Sequence, residues 1–379
     1  MRAYELGIRI GDLSPGPHDA ITDVEGVRVG HSTIVRGEGP LVVGDGPVRT
    51  GVTVVCPREG LERDEPVFAG SHRFNGNGEM TGLVWIREAG VLATPVGITN
   101  THSVGIVRDA LVKAEIEART DEEDYWCLPV VGETYDGTLN DINGQHVKVE
   151  HALWALASAS SGPVEEGSVG GGTGMICHEF KGGIGTSSRR LPEAQGGWTV
   201  GALVQANYGR RYMLRVDGAP VGRVLGTELV PSPFESEEEA QPAGTGSIIV
   251  VLATDAPLLP TQCDRLAMRA GIGLGRMGGG LDDGSGDIFF AFATGNRGIP
   301  RAGLSRPPVT VPLQMVTNDY MTPLFHAAAE ATEEAILNAL LAAGDMTGRD
   351  GIMAHGLTPE LLLGALEEAR SRAPGTATP

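Results

Sequence analysis

A chain of 379 residues is long enough for two ordinary domains or for one large layered domain. It carries 29 Lys and Arg residues against 48 Asp and Glu residues, and the formal net charge of −19 repels nucleic-acid backbones and anionic membrane surfaces. We therefore expect neither nucleic acid nor a membrane as a partner. The 56 glycines and the 5% aromatic content indicate many tight turns, as in a loop-rich α/β protein.

The cysteines are spread singly along the chain, at Cys56, Cys127, Cys177 and Cys263, without a CxxC pair. This spacing argues against a zinc knuckle and against a disulfide framework, so we expect reduced, packed thiols. The first residues contain no sustained apolar segment, and no run approaches the roughly 18 apolar residues of a membrane span. These features predict a soluble, cytoplasmic protein.

Short β-type runs and helical patterns alternate in the first part of the chain. Apolar runs bounded by glycine predict strands at 26–35, 48–57, 81–90 and 92–100. Apolar residues at helical spacing predict helices at 103–119 and 148–159. Residues 167–189 are so rich in glycine that we expect turns around a short apolar piece at 175–177. Strand character then resumes at 197–209 and 210–225.

The composition changes abruptly at residues 230–246, which are rich in proline and glutamate and poor in core-forming side chains. We expect an exposed, mobile linker there, and solvated loops at the acidic runs 121–124 and 235–240. The pattern then predicts strands at 247–254 and 287–294 and helices at 260–277, 322–343 and 357–370, the last one capped by Thr358. Helices packed on sheet in one layered domain are the simplest arrangement of these elements.

The junction of linker and strand, AGTGSIIVVLATDAPL, is where the sequence points to chemistry. Attack of the Ser247 hydroxyl on the Gly246 carbonyl would give an ester, and water would then release Ser247 as a new N-terminus. Gly246 tolerates the strained backbone that such an attack requires. The freed α-amine has an ordinary pKa of roughly 7.7–8.0, so it can act as a general base toward its own hydroxyl. The alternative is that Ser247 only begins a buried strand.

A second polar pair precedes another apolar strand, in DDGSGDIFFAFATGN. Ser285 and Asp287 are two residues apart, so in an extended segment both side chains point to one face. A hydroxyl and a carboxylate beside the first strand could orient the amine and hydroxyl of Ser247. The alternative is an ordinary Asx or Ser turn before a strand.

Together with these two stretches, VVGETYDGTLNDING, LVQANYG, MTGRDG and the opening GDLSPGPHDAITDVEGVRVGHST resemble one family. It comprises the self-processing L-aminopeptidase/D-Ala-esterase-amidases and β-peptidyl aminopeptidases, and the likeness covers almost the whole chain. The resemblance implies a four-layer αββα sandwich, like N-terminal nucleophile hydrolases but differently connected, and shared with ornithine acetyltransferase-type proteins. It also implies cleavage into chains 1–246 and 247–379 that stay associated as a tetramer of such pairs.

The resemblance assigns roles to individual residues. Ser247 matches the nucleophile, and Ser285 and Asp287 match the supporting pair, although some members carry Glu at the position of Asp287. Tyr135 and Asn207 match the residues that stabilise the oxyanion, and a phenol and a carboxamide are suitable fixed donors.

Glu133 matches the carboxylate that binds the free ammonium group of the substrate. An anionic anchor at a fixed distance from the nucleophile would let an exopeptidase measure a single residue. The implied substrates are small peptides, amides or esters with a free amino group, and the preference for L-α-, D- or β-residues stays open.

Neither a cofactor nor a metal is expected. The stretch GLGRMG at 273–278 fits the spacing of a dinucleotide-binding loop, but it follows a helical pattern rather than a strand, and the histidines form no HxH or HExxH motif. The leading hypothesis is a serine aminopeptidase that acts through an acyl-enzyme. The alternatives are an acyltransferase, although the acetyltransferase relatives use a Thr nucleophile, and an unprocessed small-ligand-binding protein.

Overall fold

The computed structural model describes residues 1–60, 62–119, 125–234, 246–301 and 308–372. The strands in these ranges are β1 (Arg28–Arg36), β2 (Val48–Cys56), β3 (Val67–Arg73), β4 (Val91–Leu92), β5 (Val96–Asn100), β6 (Val130–Thr134), β7 (Ile176–Cys177), β8 (Phe180–Lys181), β9 (Gly183–Arg190), β10 (Thr199–Asn207), β11 (Ser247–Thr254), β12 (Gly286–Ala293), β13 (Met346–Thr347) and β14 (Met353–Ala354). The helices there are α1 (Leu83–Ala89), α2 (Val104–Glu117), α3 (Val149–Ala157), α4 (Pro260–Arg276), α5 (Met321–Ala342) and α6 (Pro359–Ser371). None of these helices is long and apolar enough to cross a membrane.

Two sheets form the centre of the molecule. One has four strands in the order β1-β2-β5-β6, and the other has six in the order β4-β3-β12-β11-β10-β9. In the larger sheet β11 lies antiparallel to β10 and parallel to β12. The strand that begins at Ser247 is therefore hydrogen-bonded on both sides, and all of its residues are buried.

The layers follow from the alternation of side chains along the strands. In β11, Ile249 lies in an apolar cluster with Val55 and Ile98 of the smaller sheet, so the two sheets pack face to face. The neighbouring Ile248 and Val250 lie in a second cluster, which contains the apolar sides of α4 and α5. A third cluster joins the outer face of the smaller sheet to α2 and α3. The order of layers is the predicted αββα.

Most predicted elements are present near their predicted positions, and three are wrong. Residues 81–90 form the helix α1 rather than a strand, because Gly82 and Gly90 take positive φ values of 75° and 69° and end the helix on both sides. Residues 210–225 form short 3₁₀ turns, Arg211–Met213 and Val221–Arg223. In addition, the strands β3 and β6 were not predicted.

The third error concerns the glycine-rich stretch, in which β9 is a buried strand rather than part of a loop. Its glycines serve close packing, because a Cβ on Gly185 would collide with the carbonyl oxygen of Ala335 in α5. Because Gly185 has no side chain, α5 can lie directly on the sheet.

The predicted linker and acidic loops lie largely outside the described residues, which exclude 120–124 and 235–245. At its two described ends the linker is only partly exposed: Pro231 is exposed and residues 232–234 are half-buried, but Val230 and Gly246 are buried. The prediction of unpaired thiols is confirmed for the four cysteines, of which Cys127 is only partly buried.

Candidate active site

Ser247 is the first residue of β11 and is 5% exposed. It lies directly opposite Asn207, the last residue of β10, and opposite Gly286, the first residue of β12. An apolar β-branched run forms the central strand behind it, so its backbone is held by the sheet on both sides.

The Gly246–Ser247 peptide is held as tightly as the strand. The Gly246 carbonyl oxygen accepts a hydrogen bond of 3.0 Å from the Gly286 N–H. A Cβ on Gly246 would lie 2.9 Å from the Cα of Tyr208, which is closer than real Cβ contacts. The carbonyl next to the candidate nucleophile therefore already has a donor, and only glycine fits beside Tyr208.

Ser285 and Asp287 are directly hydrogen-bonded, with the Ser285 hydroxyl donating to Asp287 Oδ1 at 2.6 Å. The Asn75 amide donates to the other carboxylate oxygen at 2.7 Å. Asp287 lies directly opposite Ile248 in the β11–β12 ladder, so its position is within one residue of Ser247. Burial raises the pKa of Asp287, and the hydrogen bonds from Ser285, Asn75 and Ile248 oppose that rise.

Asn207 is 1% exposed, and its hydrogen bonds fix the orientation of its amide. Its Oδ1 accepts from the Ile176 N–H at 2.8 Å, and its Nδ2 donates to the Tyr135 carbonyl at 2.9 Å. A backbone N–H only donates and a carbonyl only accepts, so the two ends of the amide cannot be exchanged. One amide N–H remains after these contacts.

Tyr135 lies beside Asn207 through its backbone rather than its phenol. Its ring folds against Gly137, and the residue is 41% exposed. The structure thus brings the two predicted oxyanion residues together through the Tyr135 carbonyl and leaves the phenol at the surface.

Glu133 is 3% exposed on β6. Thr101 donates its hydroxyl to one carboxylate oxygen at 2.5 Å, and the Glu79 N–H donates to the other at 2.8 Å. Burial raises the pKa of Glu133, and these two hydrogen bonds oppose that rise. A Cβ on Gly78 would lie 3.3 Å from Glu133 Oε1 and 3.1 Å from the Cα of Gly286, so only a glycine separates this carboxylate from the start of β12.

The structure adds partners that sequence reasoning missed. Asn75, Thr101 and the N–H groups of Ile176 and Gly286 hold the predicted site residues. Asn75 and Thr101 lie far along the chain from the residues they contact, so no local motif marks them.

Two further sequence patterns concern a dinucleotide-binding loop and a metal site. Residues 273–278 cover the C-terminal end of α4, which runs to Arg276, so they do not form the strand-turn-helix of a dinucleotide site. Within the described ranges, no group of three or more His, Cys, Asp or Glu side chains is arranged to hold a metal ion.

The chain is similar to known proteins over nearly its whole length. A family described as peptidase family S58 matches residues 19–354. Beta-peptidyl aminopeptidase BapA of Sphingosinicella microcystinivorans is 50% identical over 374 residues, which cover 97% of this chain and 92% of the relative. The protein of the same name from Sphingosinicella xenopeptidilytica is 40% identical over 366 residues, which cover 95% of this chain and 90% of that relative.

Solved structures have the same fold. The β-aminopeptidase of Burkholderia sp. superposes with a TM-score of 0.90 at 60% identity, over 97% of this chain and 99% of the other. The L-aminopeptidase D-Ala-esterase/amidase of Ochrobactrum anthropi superposes with a TM-score of 0.87 at 43% identity, over 97% and 98%. Its structure is described as a prototype for the serine aminopeptidases and a new variant among the Ntn hydrolase fold.

Proposed function

The chain belongs to peptidase family S58 and is a self-processing aminopeptidase or amidase that hydrolyses peptide bonds, and from this premise we propose that Ser247 is its nucleophile. The family, the four-layer fold and the enzyme class predicted from the sequence are confirmed by these comparisons. The relatives give no support to an acyltransferase or to an unprocessed binding protein. The observation that carries the proposal is the place of Ser247 at the start of a buried central strand, opposite Asn207.

The first reaction is cleavage of the Gly246–Ser247 bond. The Ser247 hydroxyl adds to the Gly246 carbonyl carbon, and the peptide C–N bond breaks as the Ser247 nitrogen takes up a proton. Water then hydrolyses the resulting ester. The Gly286 N–H, which bonds to the Gly246 carbonyl oxygen at 3.0 Å, supports this step because a fixed donor stabilises the charge that develops on that oxygen.

In turnover the freed α-amine of Ser247 is the general base. It accepts the hydroxyl proton as Ser247 attacks the substrate carbonyl, and it returns a proton to the departing amine. The hydrogen-bonded pair of Ser285 and Asp287 supports this role, because Asp287 lies opposite Ile248, the residue after Ser247, in the β11–β12 ladder. A negative charge at this position stabilises the ammonium that forms when the amine takes up the proton.

The oxyanion is stabilised by Asn207. Its amide is buried and held at two points, and its remaining N–H is a preorganised donor across the strand pair from Ser247. We assign the Tyr135 hydroxyl to the same oxyanion, with its approach on substrate binding, because Tyr135 is exposed and its backbone is hydrogen-bonded to Asn207.

The proposed substrates are small peptides, amides and esters that carry a free amino group. Glu133 supports this class because a buried carboxylate with two donors keeps further lone pairs for a substrate ammonium. The names of the relatives, β-peptidyl aminopeptidase and L-aminopeptidase D-Ala-esterase/amidase, agree with such substrates.

We further propose that chains 1–246 and 247–379 stay associated after cleavage and assemble as a cytoplasmic tetramer of such pairs. After cleavage β11 would belong to the second chain and β10 to the first, so the antiparallel ladder between them would hold the chains together. Light scattering on the purified enzyme measures the assembly.

The cleavage proposal is tested by denaturing electrophoresis, intact mass and N-terminal sequencing. Two chains are expected, the second beginning Ser-Ile-Ile. The variant Ser247→Ala should remain a single chain without peptidase activity, while Ser168→Ala, at another Gly-Ser junction, should be processed normally. A full-length single chain with undiminished activity contradicts the proposal.

A further inference from the structure

Lys181 is a buried lysine whose charge no mechanism described above uses. It is fully buried at the end of β8, and its ammonium group donates to the carbonyls of Gly172, Met175 and Gly182 at 3.2, 2.9 and 2.7 Å. Among the described residues its side-chain hydrogen bonds go to carbonyls and none goes to a carboxylate. Burial lowers the pKa of Lys181 to about 7. Burial of a lysine without a carboxylate partner costs free energy of folding, so a functional role would explain why it is buried here.

The contact with Met175 connects Lys181 to the active site. The Met175 carbonyl and the Ile176 N–H belong to one planar peptide unit, so a group that holds the oxygen also fixes the direction of the N–H. That N–H donates to Oδ1 of Asn207 at 2.8 Å. Lys181 is therefore linked to the amide of Asn207 through a single rigid peptide.

The Met175–Ile176 peptide transmits polarisation from Lys181 to Asn207 and also fixes the position of the Asn207 amide. A cation on the Met175 oxygen draws electron density through the peptide and makes the Ile176 N–H a stronger donor. A stronger donor on Oδ1 in turn makes the Nδ2–H groups of Asn207 stronger donors. Such cooperative strengthening is estimated at roughly 10–30% per bond. The remaining N–H of Asn207 then faces the oxyanion as a better donor than an isolated amide.

Neighbouring contacts hold the same hairpin, β7–β8, against the end of β10. The Gly182 N–H donates to the Met175 carbonyl at 2.8 Å, so this oxygen has two donors. The His178 N–H donates to the carbonyl of Tyr208 at 2.7 Å, one residue beyond Asn207. The hairpin is thus fixed relative to the strand that carries Asn207, and the fully buried Lys181 side chain lies within it.

We propose that Lys181 is a positioning residue that fixes and polarises the oxyanion-binding amide of Asn207 through the Met175–Ile176 peptide. The inference rests on the proposed role of Asn207. It assigns no substrate contact to Lys181, so its loss should affect the chemical step rather than substrate binding.

The test is a double-mutant cycle of Lys181→Met and Asn207→Ala. The size of the initial product burst gives the concentration of sites that form an acyl-enzyme, and each kcat is calculated per such site. Asn207→Ala alone should lower kcat about 10²–10³-fold, as for loss of an oxyanion donor. Lys181→Met should lower kcat about tenfold or more and leave KM within about threefold. In the Asn207→Ala background, Lys181→Met should have no further effect on kcat, whereas a merely structural role would give additive losses.

Lys148→Met is the matched control, because Lys148 is an exposed lysine whose ammonium also donates to a carbonyl, that of Gln145. It should leave kcat unchanged. If Lys181→Met does not fold, Lys181→Gln, which keeps two N–H donors without the charge, takes its place in the cycle.

Additive losses, an unchanged kcat in Lys181→Met, or failure of both Lys181 variants to fold overturns the inference. In the last case Lys181 serves the fold rather than Asn207. An unchanged kcat in Asn207→Ala instead overturns the proposed role of Asn207 itself, so the two failures are distinguishable.

Discussion

Asn207 and Ser247 form a directly opposed pair at the end of the β10–β11 ladder. Opposed residues of antiparallel strands have Cβ atoms about 4.5–5.5 Å apart, so the amide is within reach of an oxyanion that forms on the carbon attacked by Ser247. A slip of one residue in this register would turn one of the two side chains to the opposite face. The register of two buried strands therefore sets the central distance of the proposed site.

A side chain at position 246 should impede self-processing. In Gly246→Ala the new Cβ would lie 2.9 Å from the Cα of Tyr208, so the peptide must shift away from the geometry that presents its carbonyl to Ser247. We expect cleavage to slow about tenfold or more, since a barrier rise of about 1.4 kcal/mol is sufficient. The measurement is the time course of two-chain formation on denaturing gels after synthesis.

Gly364→Ala is the control for that experiment, because a Cβ there has no atom within 4 Å. It should be processed at the rate of the unsubstituted protein. Normal processing of Gly246→Ala would show that the close approach to Tyr208 has no part in cleavage.

Loss of the charge at position 287 should reduce turnover. Asp287→Asn keeps the size of the side chain but cannot stabilise the ammonium form of the α-amine, so kcat should fall about 10²–10⁴-fold. Asp287→Glu should keep kcat within about tenfold, because it keeps the negative charge. Exposed Asp283→Asn is the matched control, and equal kcat values for Asp287→Asn and this control would exclude the assigned role.

Glu133 should govern the binding of the substrate ammonium. Glu133→Gln should raise KM about tenfold or more for substrates with a free amino group, with kcat less affected, while exposed Glu88→Gln should not change KM. A KM that stays constant in Glu133→Gln contradicts this role.

The Glu133 carboxyl should also contribute to a decrease of kcat/KM at acid pH, the acid limb of the pH profile. Burial raises the pKa of Glu133, and below that pKa the neutral carboxyl cannot pair with an ammonium. In the unsubstituted enzyme kcat/KM should therefore fall with decreasing pH, starting above the ordinary range of a glutamate. Glu133→Gln should lose this contribution and keep the acid limb that the Ser247 α-amine sets as general base. An unchanged pH profile in the variant would assign the whole limb to that amine.

His178 should make the fold sensitive to acid. Its Nδ1 lies 3.0 Å from the Arg210 carbonyl, which can only accept, so Nδ1 carries a proton. Burial lowers the pKa of His178 from 6.5 to about 4. Between these values the unfolded chain binds more protons than the folded one, so stability contributed by this group falls as the pH drops from 6.5 to 4, by roughly 3 kcal/mol.

The measurement is urea unfolding at several pH values in that window. His178→Phe should show a smaller loss of stability toward low pH than the unsubstituted protein, whatever its stability at neutral pH. His18→Gln, at an exposed position, should follow the unsubstituted protein. Parallel pH curves for His178→Phe and the unsubstituted protein would contradict the assignment.

The elements that the sequence predicted correctly are those with strong local patterns. The strand that begins at Ser247 is a continuous apolar run, and its predicted bounds coincide with β11. The helix α4 begins at Pro260, which suits the first turn because proline has no N–H to satisfy there. Such signals are set by neighbours along the chain, so they can be recognised without the fold.

The errors arose where long-range packing decides the local structure. The glycines of β9 indicated turns, but they leave room for α5 to approach the sheet, and that helix lies more than a hundred residues further along the chain. The glycine-bounded apolar run at 81–90 resembled a strand, but glycines with positive φ at both ends fix a helix. The contact with α5 cannot be seen in a short window of sequence, and the positive φ values of the two glycines are known only from the folded backbone.

The sequence by itself located the proposed cleavage junction Gly246–Ser247, the pairing of Ser285 with Asp287, and the types of residue that the proposed chemistry requires. Only the tertiary structure decided which groups hold them: Asn75 on Asp287, Thr101 on Glu133, and the Ile176 N–H, with Lys181 behind it, on Asn207. The physical reason is that a reactive bond is a local property of the chain. The direction and strength of a donor depend on the buried neighbours that the sheets and hairpins bring to it.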